Sequence, residues 1–241
     1  MTKRSRLLWA VLAGGLAAAG LTGCGPGETF EDDASARERV TSVRVETGTG
    51  SVTLRGREGL DEISVHRRIT YHGDKPEGAT HRVDGDRLVL GGCGDDCKVD
   101  YTVEVPAGVA VEGGASTGDL TLSDVGPVDL KTESGDVTLA GVAAEVKVRT
   151  SNGNIRGTDL RGDRIDAQSS NGEISLTPGK PQDIRAEAEN GGLSLTLPDG
   201  SYRLLVKTGN GDKDIRVRDE PSGEHRVELT TGNGDISVRP A

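Results

Sequence analysis

Two cysteines four residues apart, in Cys93-Gly-Asp-Asp-Cys97, are the side chains of this sequence with the most reactive pairing. Such thiols can close a disulfide, exchange electrons or supply part of a metal site. Two thiolates are too few for a zinc centre, and the nearest histidines in sequence, His72 and His81, belong to another strand region. The expectation is a structural disulfide between Cys93 and Cys97 that fixes a hairpin tip, with little entropic stabilisation from so short a loop. No metal and no cofactor is expected.

Four further patterns carry weaker chemistry. Gly114-Ala115-Ser116-Thr117-Gly118 matches the nucleophile-elbow spacing Gly-x-Ser-x-Gly, but that motif needs a strand, a turn, a helix and later acid and histidine partners. Here it reads as a turn in a glycine-rich chain, and His225 is the sole later histidine. Gly209-Asn210-Gly211-Asp212 and Gly232-Asn233-Gly234-Asp235 are similar to calcium-binding nonapeptides. Their period is about twice too long, so the residues supply turn geometry, and weak calcium binding at Asp95 and Asp96 or the turn acids has no support. Asp129, Lys147, Arg149, Asp166 and Arg185 would share one sheet face, where clustered carboxylates and cations could serve glycan chemistry. A solvated charged ladder is the commoner outcome of that pattern. His66, Arg67, Arg68 and His72 lie on one strand signal and read as a plain exposed strand face, with a pH-sensitive or anion-binding face as the alternative.

The elements that position these residues come from a recurring phrase: alternating apolar residues ending in Thr or Ser, a glycine turn, then a second alternation. It reads Val-Asp-Leu-Lys-Thr-Glu-Ser-Gly-Asp-Val-Thr-Leu at 128–139 and Ile-Asp-Ala-Gln-Ser-Ser-Asn-Gly-Glu-Ile-Ser-Leu at 165–176. The turn glycines Gly118, Gly135, Gly153, Gly172, Gly191, Gly211 and Gly234 are spaced by 17, 18, 19, 19, 20 and 23 residues. Two-residue alternation inside such a period marks an all-β repeat architecture.

A meander of hairpins and a solenoid of stacked coils both fit glycine-turned strands. Equivalent positions decide between them. The residue after the first inward apolar is Asp129, Lys147, Asp166, Arg185, Leu205 and Glu228 in successive repeats, and the first four alternate in sign. The third inward position reads Thr132, Thr150, Ser169, Ala188, Thr208 and Thr231. In-register parallel strands place such residues side by side, so the sequence predicts an all-β, parallel β-helix or β-solenoid of about seven to eight coils. Residues 24–39 read as a flexible polar tether and 40–241 as the β-repeat domain. Within it, 56–108 is a divergent strand and hairpin segment and 109–241 the regular coils. The last repeat, Val227 to Val238, ends three residues before the final alanine. It predicts an open C-terminal edge that docks a partner, another copy of the chain included.

The first residues address the protein. Lys3, Arg4 and Arg6 precede an apolar stretch from Leu7 to Ala19, and Leu21-Thr22-Gly23-Cys24 follows. That is the layout of an export signal, residues 1–23, and the last four residues resemble the bacterial lipobox. A diacylglycerol on the Cys24 thiol would anchor the chain at the extracytoplasmic face of the cell membrane, since two acyl chains suffice where one does not. Removing 1–23 takes three cations and no acid, so 26 basic residues face 39 acidic ones and the net charge goes from −10 to −13. Nucleic acid is excluded as a partner by that balance. Outside the signal the aromatic residues are Phe30, Tyr71, Tyr101 and Tyr202, too few for a stacking groove.

The phrase Val-Glu-Val-Pro at 103–106, followed by Ser-Thr-Gly-Asp, Glu-Ser-Gly-Asp and Ser-Asn-Gly-Asn at successive turns, resembles the putative-adhesin β-strand-repeat family, a domain of unknown function. The resemblance spans roughly 40–241 and implies a right-handed β-helix at the bacterial envelope. Together these readings predict a non-enzymatic, lipid-anchored surface lipoprotein whose adhesin-like domain binds or scaffolds a protein or cell-wall partner. An accessory to envelope-stress sensing and a glycan-acting enzyme are the alternatives.

Overall fold

The computed structural model describes residues 27–241; the expected export signal, 1–23, and Cys24 lie outside the described residues. The secondary structure of the described residues is all strand: β1 (Glu28–Ala36), β2 (Ser42–Thr49), β3 (Val52–Arg57), β4 (Ile63–Tyr71), β5 (His81–Asp84), β6 (Arg87–Gly91), β7 (Cys97–Pro106), β8 (Ala110–Thr117), β9 (Leu120–Ser123), β10 (Val128–Ser134) and β11 (Val137–Ala140). The series continues with β12 (Val146–Asn152), β13 (Ile155–Leu160), β14 (Arg164–Asn171), β15 (Ile174–Pro178), β16 (Asp183–Asn190), β17 (Leu193–Leu197), β18 (Tyr202–Asn210), β19 (Lys213–Ile215), β20 (His225–Asn233) and β21 (Ile236–Pro240).

One repeat shows how the sequence builds a coil. In β10, Val128, Leu130 and Thr132 are buried and Asp129 and Lys131 exposed, the two-residue period of a strand with one wet face. The chain then turns at Gly135, where φ is +147° and a Cβ would stand 2.1 Å from the Gly118 carbonyl oxygen of the next coil. Only glycine fits that approach. After the turn β11 buries Val137 and Leu139 on a second sheet. Each coil thus gives one strand to a ten-stranded sheet and one to an eleven-stranded sheet. The inward Val, Leu and Ile of both sheets form one continuous apolar core.

Neighbouring coils are parallel and in register, Val128 beside Val146 beside Ile165, as the aligned repeats predict. Among the described residues nine coils stack in the order β6–β7, β2–β3, β8–β9, β10–β11, β12–β13, β14–β15, β16–β17, β20–β21, β18–β19. Two coils are out of sequence order. At the N-terminal end β6–β7, from the divergent segment, lies outside β2–β3. At the other end the last coil of the chain slides between β16–β17 and β18–β19. Antiparallel strands finish the first end: β4 on β7, β1 on β4, and β5 on β6.

Two segments differ from the sequence expectation. From Glu28 to Ala36 the stretch read as a tether is strand β1, paired with β4 over its full length. Its acids meet basic residues in reverse order, Glu31 opposite Arg68, Asp32 opposite Arg67 and Asp33 opposite His66, and this cross-strand polar pairing holds a segment with few apolar residues in the sheet. Second, Val227 to Val238 is not the open edge, because β18 and β19 cover it. The true outer edge is blunted by the 216–224 connection. The Glu220 amide donates to the Tyr202 carbonyl at 2.8 Å, the Leu204 amide donates to Asp219 Oδ1 at 2.9 Å, and Lys213 Nζ donates to the Val206 carbonyl at 3.1 Å. Val217 packs on the apolar core below. Such occupied edge groups are how native sheets avoid pairing with other chains.

Candidate functional site

The outer face of the ten-stranded sheet gathers most of the charged side chains singled out in the sequence. In spatial order its first row is Arg44, Glu112, Asp129, Lys147, Asp166, Arg185, Glu228 and Leu205. The exchanged coil order places Glu228 directly beside Arg185, so the sign alternation runs from Asp129 to Glu228 without a break. Lys147 Nζ donates to Asp129 Oδ2 at 2.8 Å, Arg185 pairs with Glu187 at 2.6 Å, and Arg226 pairs with Glu228 at 3.0 Å. All these groups are substantially exposed, and each pair is worth about 0–1 kcal/mol. The Lys147–Asp129 pair crosses between strands and the other two lie within one strand, and together they leave the face nearly neutral locally.

Behind that row runs a shallow groove of about 540 Å³ lined by Lys131, Arg149, Ser151, Gln168, Glu187 and Thr230, among others. It crosses β10, β12, β14, β16 and β20, and four interstrand steps of about 4.8 Å make it roughly 19 Å long. Arg149 Nε donates to Gln168 Oε1 at 3.1 Å, and Gln168 Nε2 donates to Asp166 Oδ1 at 2.9 Å. Asp129, Lys147, Arg149, Asp166 and Arg185 therefore do share one face. Asp129 and Asp166 are separated by the intervening strand of Lys147 and each already holds a donor. The arrangement offers a long polar surface with both signs of charge.

At the opposite end of the molecule β4 departs from the exposed-face reading. His66 and Arg68 point outward and pair with Asp33 at 2.8 Å and Glu31 at 2.5 Å. Arg67 points inward and is buried. Its guanidinium is held bidentately by the Asp32 carboxylate, and it donates to the Gly78 carbonyl at 3.2 Å and Thr80 Oγ1 at 3.1 Å. Tyr101 lies in the same cluster and donates to the Gly91 carbonyl at 2.8 Å. Burial pushes its phenol up to about 12. Burial, followed by the charge of Arg67, lowers the imidazole of His81 below its ordinary value. A buried ion pair removed from water is tolerated only with such complete hydrogen bonding.

The remaining candidates fall at turns. Cys93 and Cys97 are bonded, with Cα atoms 5.8 Å apart, in the connection from β6 to β7 where regular coils have a glycine turn. Ser116 lies exposed at the end of β8, and the chain passes from it into strand β9 rather than a helix. The turn acids are used as backbone acceptors: Asp119 Oδ1 takes the Asp136 amide, Asp136 Oδ1 the Asn154 amide, and Asp235 Oδ1 the Asp212 amide. The Asn154 amide beside Asp136, with Arg156 nearby, lowers the Asp136 carboxyl pKa. No group of three or more His, Cys, Asp or Glu side chains able to hold a metal occurs among the described residues.

A feature absent from the sequence reading is an asparagine ladder one residue before the turn glycines. Asn171 Nδ2 donates to Asn152 Oδ1 at 3.1 Å, Asn190 to Asn171 at 3.2 Å, Asn233 to Asn190 at 2.9 Å and Asn210 to Asn233 at 2.8 Å. The signal was available as an Asn-Gly at each of these turns. Turn chemistry accounts for Asn-Gly within one coil, and in-register stacking of the coils adds a ladder of identical amides.

The Toastrack DUF4097 family matches residues 107–239, the region of the regular coils. The chain belongs to the Toastrack family. Among solved structures, a putative adhesin from Bacteroides fragilis shares 14% identity with a TM-score of 0.43, covering 89% of this chain and 97% of that one. A putative cell adhesion protein from Clostridium sporogenes shares 14% identity with a TM-score of 0.36, covering 89% of this chain and 100% of that one. No curated protein matches the chain. Membership of the Toastrack family rests on the sequence match over the coils.

Proposed function

We propose that this Toastrack protein is a non-enzymatic envelope scaffold, lipid-anchored through Cys24, whose ten-stranded face binds an extended polar segment of a protein partner. The observation that carries this reading is the groove across five strands, lined by Lys131, Arg149, Gln168 and Glu187. Its length suits an extended chain of about six residues, and its paired charges favour a partner with both signs. The scarcity of aromatics disfavours sugars, which stack on such rings. The adhesin names of the two structural neighbours agree with a binding role. The anchor rests on Leu21-Thr22-Gly23-Cys24 and the basic start before it.

A photoreactive residue at Ser170, in the groove, and another at exposed Thr121, on the eleven-stranded face, test the reading in intact cells. The expected result is a discrete cross-linked protein from position 170 that is lost in Lys131→Glu/Arg149→Glu and absent from position 121. Identical cross-links from both positions would overturn the groove assignment. Retention of Cys24→Ser in the membrane fraction would overturn the anchor.

A further inference from the structure

Five Asn-Gly dipeptides occupy the coil turns: Asn152-Gly153, Asn171-Gly172, Asn190-Gly191, Asn210-Gly211 and Asn233-Gly234. An Asn-Gly pair carries its own reactivity, because glycine has no side chain to shield its amide nitrogen. That nitrogen, deprotonated by hydroxide or a buffer base, attacks the Asn Cγ. The N–Cγ bond forms, the Cγ–Nδ2 bond breaks, and ammonia leaves after taking a proton from water. Water then opens the resulting succinimide at either carbonyl, giving aspartate or isoaspartate. The reaction needs a glycine amide free of its acceptor and a carboxamide free to rotate onto it.

The stack blocks both requirements at four of the five sites. The amide of Gly153 donates to the Asn171 carbonyl at 2.9 Å, Gly172 to Asn190 at 3.0 Å, Gly191 to Asn233 at 2.9 Å and Gly234 to Asn210 at 2.8 Å. Each acceptor sits on the next coil outward. Gly211 is on the outermost coil, and its amide meets no acceptor among the described residues. The carboxamides follow the same pattern. Those of Asn171, Asn190 and Asn233 each give one ladder bond and receive another. Asn152 receives one and donates to the Glu133 carbonyl at 3.3 Å. Asn210 makes only the donation to Asn233 and is exposed. Gly209 precedes it, so the backbone there has a flexible residue on either side.

We propose that Asn210 is a modification site, converted in the folded protein to aspartate and isoaspartate by attack of the Gly211 nitrogen, while the other four pairs are protected by the coil stacked upon them. The conversion has a structural consequence. The new carboxylate can no longer donate to Asn233 Oδ1 and faces that acceptor instead. It also adds a negative charge beside Asp212 and Asp235, whose backbone and side chain are already joined. Isoaspartate lengthens the main chain by one carbon between residues 210 and 211, which displaces the turn and strand β19 that follow and loosens the outermost coil.

Peptide mass mapping after incubation of the folded protein in mildly alkaline buffer tests the proposal, with isoaspartate methyltransferase labelling as the second readout. Asn210 is expected to convert at least about tenfold faster than each of the other four, the difference between an unprotected amide and amides released only by local opening. In denaturant, where every site is followed by an equally free glycine, the five rates are expected to converge. Asn210→Ser is expected to remove nearly all isoaspartate labelling of the folded protein. Equal rates at the five sites in the folded protein would overturn the proposal, as would faster conversion at any of the other four. So would an unreactive folded chain whose unfolded form reacts.

Discussion

Asn233 donates from Nδ2 to Asn190 Oδ1 at 2.9 Å across 43 residues of sequence, while Asn210, between them in the chain, lies on the far side and donates to Asn233 at 2.8 Å. This relationship records the exchanged order of the last two coils. A paired-cysteine experiment checks it directly. Glu187 and Thr230 are outward Cα partners, one interstrand spacing apart, within disulfide reach. Lys207 is the partner of Thr230 on its other side, which puts it about 9.6 Å from Glu187, beyond that reach. Glu187→Cys/Thr230→Cys is expected to form an intramolecular disulfide on mild oxidation, and Glu187→Cys/Lys207→Cys to remain reduced. The reverse outcome would mean that the coils stack in sequence order.

The inward Thr/Ser ladder predicts two substitutions of opposite sign. Thr231 Oγ1 donates to the Gly191 carbonyl at 2.8 Å, and Thr231→Val is expected to destabilise by about 1 kcal/mol through loss of that bond. Thr132 is fully buried, and its hydroxyl has no hydrogen-bond partner among the described residues. Thr132→Val keeps the shape and removes the unpaired group, so it is expected to be neutral or stabilising by about 1 kcal/mol. Urea midpoints of the two variants measure the difference.

Turn glycines divide by what lies above them. At Gly172, φ is +153° and a Cβ would stand 2.0 Å from the Gly153 carbonyl oxygen, which belongs to rigid backbone. Gly172→Ala is expected to cost more than about 4 kcal/mol, in the range that separates exceptional from ordinary substitutions. Gly94 also has a positive φ, +110°, but nothing lies within 4 Å of its added Cβ. Gly94→Ala pays only backbone strain, about 1–3 kcal/mol. Thermal unfolding of the pair separates crowding from strain.

Acidification acts through the cluster around Arg67. Burial and the Arg67 charge lower the folded-state pKa of His81, with Asp32 opposing them. The folded form therefore holds the histidine proton less tightly than the unfolded chain, whose value is about 6.5. Stability from this group is complete above about pH 6.5 and is lost as pH falls through the folded value. Between about pH 7 and pH 5 the melting temperature is expected to fall, and to fall less in His81→Gln. An equal slope in both proteins would assign the acid sensitivity to other groups.

The repeated phrase made the coil, the inward Thr/Ser row and the shared face of Asp129, Lys147, Asp166 and Arg185 legible, because in-register parallel strands convert sequence equivalence into spatial adjacency. The same equivalence concealed the coil order. Thr208-Gly-Asn-Gly-Asp212 and Thr231-Gly-Asn-Gly-Asp235 are identical, so either could follow Asn190 in the ladder, and local pattern does not choose. The choice is visible in the outward row, where Glu228 complements Arg185 and Leu205 does not. Strand β1 was hidden because Glu31, Asp32 and Asp33 have the composition of a solvated segment. Its signal was the reversed complement His66-Arg67-Arg68 more than thirty residues away. Burial of Arg67 was unreadable for the same reason, since the carboxylate that makes it tolerable comes from that strand.

The exchange of the last two coils also bears on how such an array can lengthen. Tandem duplication at the C-terminus normally adds a rung to the free end of a repeat protein. Here the place outward of β20–β21 is already filled by β18–β19, so a copy appended after Ala241 would find the adjacent rung occupied. New rungs can be accommodated by duplicating interior coils upstream of residue 198, and a C-terminal fusion partner would leave from the flank of the stack rather than extend it.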